Sequence, residues 1–135
     1  KAVLNTVHAA RPHMRTQGGG RIVNIVTEQW NEAFPGHHPH VTGKSAMVGL
    51  SRKLVLDLAH DNITINMVSP GWTRTERTRG RDTADNSYVQ GTPLGRIAEP
   101  EDIGDACVFL ISDLGKYVSG AYIPMNGGRH PQMGA

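Results

Sequence analysis

The sequence predicts an α/β fold with a parallel, Rossmann-like sheet, and three observations carry the prediction. Two short runs, "RIVNIV" (Arg21 to Val26) and "ITINMV" (Ile63 to Val68), are rich in β-branched and apolar residues, as in strands covered on both faces. Between them lies a helical pattern long enough for the crossover that parallel strands require. The alternation then continues to "AYIPM" (Ala121 to Met125), a third strand near the end of the chain.

The first element is a helix from Lys1 to Arg15, because Val3, Val7, Ala10 and Met14 fall on one stripe; Pro12 is expected to weaken its last turn. Gly18, Gly19 and Gly20 follow the helix and precede a strand. That order makes a helix stop and turn, whereas a phosphate cradle needs its glycines where a helix opens. After the first strand, "TEQWNEAFPGHHPH" is a loop leaving the strand's carboxyl end, the edge where open α/β sheets place their sites.

The second helix, Val41 to His60, has Met47, Leu50, Leu54 and Leu58 on one stripe, widened by Val48 and Val55. "SPGW" ends the second strand, since proline and glycine break the ladder. The stretch from Thr73 to Gly91 has almost no apolar residue and is expected to be a mobile excursion, long enough to act as a lid. Pro100, Glu101 and Asp102 open a third, strongly apolar helix, because proline suits a first turn and carboxylates suit the positive end of the helix dipole.

A chain of 135 residues, 38% hydrophobic and 19% charged, is that of one ordinary globular domain. A net charge of +2 without a continuous basic helix face argues against nucleic acid and leaves small molecules as the expected partners. Cys107 stands alone, so no internal disulfide forms; its apolar surroundings suggest a buried thiol in a reducing, cytoplasmic compartment. No apolar stretch approaches the ~20 residues needed to cross a bilayer, so no membrane partner is expected. The chain opens on Lys1, inside a helical pattern, which suggests the later part of a longer protein, a single domain that is incomplete over residues 1–135.

Five motifs stand in one order: "GGRIVNIV", Lys44 at the start of a long helix, "INMVSPGWTRT", "PLGRIAEPEDIG" and "YVSGAYIPMNGG". Together they resemble the second half of the classical short-chain dehydrogenases/reductases, including the 3-oxoacyl-acyl-carrier-protein reductase branch. The resemblance implies the carboxyl-terminal half of a doubly wound sheet and an NAD or NADP cofactor. The family's glycine-rich dinucleotide turn belongs to the half that these motifs do not cover.

Carried over residue by residue, the resemblance places Thr27 where the family has its catalytic serine, His40 where it has its tyrosine, and Lys44 at its lysine. Thr27 keeps a hydroxyl for a substrate oxygen, although a strand-end threonine also bonds nearby backbone. In the family the lysine holds the nicotinamide ribose and lowers the pKa of the tyrosine. A histidine starts near about 6.5, and a neighbouring lysine charge pushes it lower, leaving a neutral ring that is a poor acid at pH 7. Imidazole is also shorter than phenol, so a water would have to bridge the difference. The expected consequence is a proton relay that is impaired or redirected.

The resemblance also assigns Pro70, Gly71, Thr73 and Thr75 to the turn that meets the nicotinamide, although such a turn serves the fold as well. Arg74, Arg77, Arg79 and Arg81 are candidates for an anionic substrate or an acyl-carrier surface, against the alternative of a solvated basic loop. His37, His38 and His40 are not expected to bind metal, because adjacent side chains point apart and nothing at ligand spacing completes the set. Three functions therefore stand open. One is an oxidoreductase reducing a carbonyl or oxidising an alcohol. Another is a nonredox member performing proton transfer, dehydration or cyclisation. The third is a noncatalytic subunit. In each case association through the first two helices, as homo-oligomer or with a related subunit, is implied by the resemblance.

Overall fold

The computed structural model describes residues 1–31, 36–80 and 87–129. Its elements are α1 (Ala2–Thr16), β1 (Gly20–Ile25), α2 (His38–Ala59), β2 (Ile63–Pro70), a short α3 (Ser87–Gln90), α4 (Pro100–Ile111) and β3 (Tyr122–Met125). The strands form one parallel sheet in the order β1-β2-β3, with Gly20 opposite Ile63 and Met67 opposite Tyr122. All three run the same way, so Thr27, Gly71 and Asn126 emerge at one edge of the sheet.

Helix α1 passes through Pro12 and runs to Thr16, so the proline does not shorten it. The helix closes where the Gly19 N–H donates to the Met14 carbonyl, with Gly18 at φ +83°. Gly20 is closely approached by α1: a Cβ there would lie 2.5 Å from the Met14 sulfur, so the methionine side chain would have to move. Strand β2 is central and buried from Ile63 to Ser69. β1 differs from the expectation that both its faces are covered, since Ile25 is 39% exposed and Val23 only half-buried. Among the described residues it pairs with β2 alone.

The main core joins Val7 of α1, Leu54 and Leu58 of α2, and Ile63 and Ile65 of β2. Each such side chain contributes roughly 1.5–3 kcal/mol on burial. A second cluster of Val26, Val48 and Met67 lies closer to the carboxyl edge. The fully buried Asn66 donates from Nδ2 to the Val118 carbonyl at 2.8 Å and accepts at Oδ1 from the Ala121 N–H at 3.0 Å. It thereby fixes the approach of the chain to β3.

α4 packs against β1 and β2. Its start is closed by a capping box between Glu99 and Asp102, and Arg96 grips Asp102 at 2.6 and 3.0 Å. The hydrogen bond from Arg96, helped by the Glu99 N–H, holds the Asp102 carboxyl down at about 2. The helix is less fully buried than its apolar sequence suggests: Leu110 is buried, but Val108 and Ile111 are exposed. Cys107 is half-buried rather than buried, and its partial burial raises the thiol's pKa.

The start of the expected lid is tied down. Thr73 pairs with Ala98, the Arg74 N–H donates to the Ala98 carbonyl at 2.7 Å, and Thr78 is buried under a 3-10 turn, Glu76–Thr78. Hydroxyls do the anchoring: Thr78 Oγ1 receives the Thr75 N–H and donates to backbone carbonyls, whereas residues 81–86 of the expected excursion lie outside the described residues. Among the described residues, no helix is long and apolar enough to cross a membrane.

Candidate active site

The carboxyl edge of the sheet opens into a cleft of about 630 Å³, whose walls include Thr27, His40, Gly71, Thr73, Thr75 and Arg77. Residues from separate segments of the chain thus meet in one cleft, whereas Lys44 is not among those that line it. Pro70 also borders the cleft.

Thr27 is buried at the end of β1, where its Oγ1 accepts a hydrogen bond from the Gln29 N–H at 3.3 Å. This bond opens the 3-10 turn Glu28–Asn31 and uses the hydroxyl only as an acceptor. Its hydrogen is left available to a ligand. His40 lies in the first turn of α2, which begins at His38 rather than Val41. Lys44 follows one turn later on the same helix, and its ammonium donates to the Ile25 carbonyl at 2.6 Å. Partial desolvation lowers the His40 pKa below its ordinary 6.5, and the charges of Lys44, His37 and Arg77 lower it further.

The turn after β2 is held from beneath. The Gly71 N–H donates to the Met125 carbonyl at 3.0 Å, and a Cβ on Gly71 would press within 3.0 Å of Asn126. The Thr73 hydroxyl donates to the Gly71 carbonyl at 3.3 Å, whereas Thr75 is engaged with Thr78 through both its N–H and its hydroxyl. Of the predicted arginines, Arg74 is paired with Glu99 at 2.9 Å, Arg79 lies 4.0 Å from Glu76, and Arg77 borders the cleft. Arg81 lies outside the described residues.

Two features of the site were not foreseen. One is Glu28, a carboxylate only 2% exposed on the cleft wall. It receives the Tyr122 hydroxyl at 2.5 Å and the Asn126 amide at 2.8 Å, while Tyr122 also contacts Ser69 at 2.6 Å and Trp30 Nε1 at 2.7 Å. This network ties together the ends of all three strands. Burial, reinforced by the bond to Glu28, pushes the Tyr122 phenol up to about 12. The other is an aromatic wall: Trp72 stacks on Tyr88 with ring centroids 3.7 Å apart, and the Arg129 guanidinium lies 4.8 Å from the Tyr88 centroid. Both features join residues distant in sequence, so no local pattern announces them.

Comparison with known proteins agrees with the fold. A family model described as enoyl-(acyl carrier protein) reductase matches residues 1–130. The 3alpha-hydroxysteroid dehydrogenase of Mediterraneibacter gnavus is 39% identical over 93% of this chain and 51% of its own. The 3-oxoacyl-acyl-carrier-protein reductase FabG of Staphylococcus epidermidis is 32% identical over 96% of this chain and 54% of its own. Among solved structures, a gluconate 5-dehydrogenase from Burkholderia cenocepacia, in complex with NADP and tartrate, superposes with a TM-score of 0.83 at 30% identity, covering 94% of this chain and 51% of that one. The chain spans about half the length of the curated relatives it matches. From its parallel sheet, the cleft at its carboxyl edge and a family match across nearly all its residues, the chain belongs to the short-chain dehydrogenase/reductase family.

Proposed function

We propose that the protein carrying this chain is an NAD(P)-dependent oxidoreductase that interconverts a carbonyl and an alcohol. The observation that carries the reading is the shared cleft bordered by Thr27, His40 and the turn from Pro70 to Thr75. Lys44 stands one helical turn from His40. The activities named for the relatives, a hydroxysteroid dehydrogenase and an oxoacyl reductase, support it.

The residues fit the nicotinamide end of such a cofactor. Pro70 and Gly71 offer a backbone surface held firmly by β3, Thr73 and Thr75 add hydroxyls, and Lys44 has donors beyond the one bound to Ile25. When bound, the nicotinamide supplies or accepts the hydride. The chain's own residues handle the rest. Thr27 donates its free hydroxyl hydrogen to the substrate oxygen. His40, kept neutral near pH 7, accepts a proton more readily than it gives one, which suits alcohol oxidation. A water spans the distance that the shorter imidazole leaves.

The lowered His40 pKa also favours a second reading, in which the family's proton relay has lapsed and the chain serves as a nonredox member or a partner subunit. Assembly through α1 and α2 belongs to either reading, and Leu56 of α2, 74% exposed, offers apolar surface for it. The test is titration of NADH and NADPH into the full-length protein, followed by nicotinamide fluorescence. Saturable binding that weakens in Lys44→Ala supports the oxidoreductase. Absence of binding to either nucleotide overturns it in favour of the partner subunit.

A further inference from the structure

We infer that Arg77 is the specificity determinant of the cleft, selecting a substrate that carries a carboxylate next to an apolar body. This rests on the oxidoreductase reading and adds a substrate class to it.

Three observations meet at this residue. Arg77 borders the same cleft as Thr27 and His40, in the 3-10 turn Glu76–Thr78 that the buried Thr78 anchors. Its backbone is therefore placed by the fold, although its side chain is exposed. Among the described residues the Arg77 guanidinium has no hydrogen bond or ion pair, while Arg74 is taken up by Glu99 and Arg79 lies near Glu76. A planar fork of donors facing an open cleft is suited to a carboxylate, which it can bind through two parallel bonds.

The local charge points the same way. Arg77 and Lys44 are both close enough to His40 to disfavour its protonation. The acidic group on the cleft wall, Glu28, is committed to Tyr122 and Asn126. An anion entering the cleft thus meets Arg77 on its wall, while the Glu28 oxygens are already engaged by donors from the protein. Trp72 and Tyr88, stacked on one another, also line the cleft, so the wall near the turn that bears Arg77 is aromatic and suits an apolar body. The cleft of about 630 Å³ has room for a compact ring or short chain bearing a carboxylate, and Thr27 and His40 line it too.

The experiment uses the full-length protein and two matched probes, 4-oxocyclohexanecarboxylate and its methyl ester. Wild type is expected to prefer the acid in kcat/KM, and Arg77→Gln to lower that preference roughly five- to tenfold through KM, any effect of the lost charge on His40 being shared by acid and ester. Arg77→Lys retains part of the preference, Arg15→Gln retains all of it, and added salt raises KM for the acid alone. Calorimetric titration of the same probes into wild type and Arg77→Gln reads the interaction without turnover. An Arg77→Gln variant that binds acid and ester as wild type does overturns the inference. If the acid binds through Arg77 while neither NADH nor NADPH binds, the redox reading fails and the anion site stands.

Discussion

The Lys44 ammonium donates a 2.6 Å hydrogen bond to the Ile25 carbonyl, joining the helix that carries His40 to the strand that leads into Thr27. The bond does two things. It satisfies the carbonyl of the last β1 residue, and it holds a positive charge at the end of the strand that leads into Thr27. The ribose-holding role proposed for Lys44 then uses an ammonium that is already oriented.

Lys44→Met retains the apolar stem and removes that bond. It is expected to cost about 1 kcal/mol of stability. Nicotinamide binding is expected to weaken by roughly tenfold, because the ammonium's charge-assisted hydrogen bond to the ribose goes with it. Urea midpoints and fluorescence titration check the two effects separately.

For His40 the sign follows from its lowered pKa. The neutral ring accepts the proton, so kcat/KM for alcohol oxidation is expected to fall with acid, with its inflection below 6.5. His40→Tyr removes that inflection and raises carbonyl reduction relative to oxidation. A profile that is unchanged in His40→Ala would exclude the ring from proton transfer.

Tyr122 is expected to titrate late. A phenol whose pKa rises on folding keeps its proton while the unfolded chain loses it, so the associated stability is present below 10 and lost as pH climbs to about 12. The difference in ultraviolet absorbance between wild type and Tyr122→Phe isolates this titration. The same variant strips Glu28 and Ser69 of a partner and is expected to lose about 1–3 kcal/mol in urea denaturation at neutral pH.

Asn66→Ala leaves the Val118 carbonyl and Ala121 N–H without their buried partner. A loss of about 2–3 kcal/mol is expected. Hydrogen exchange then quickens at Ala121 and along β3, while β1 retains its protection.

Much of the fold was legible because it rests on periodicity: the stripes of α1 and α2 and the runs of β1 and β2 each lie within one contiguous segment. The meeting of Thr27, His40 and the turn at Gly71 was legible through the family resemblance, which supplies spacing that no single segment contains. What stayed hidden depends on contacts across the chain. Glu28 and Tyr122 are ninety-four residues apart, and nothing beside either marks the other. The segment after Gly71 looked loose because its anchor, Thr78, is a small polar residue whose burial depends on bonds to Thr73 and Thr75.

The parallel order of the strands has a consequence for how the chain comes together. No two neighbours are joined by a hairpin: Gly20 meets Ile63 only after α2 has been traversed, and Met67 meets Tyr122 only after α4. Such nonlocal closure slows folding, because loop entropy is lost before the contacts form. During synthesis β2 leaves the ribosome with one edge bare until β3 follows, and that interval is where a nascent chain is most exposed to aggregation.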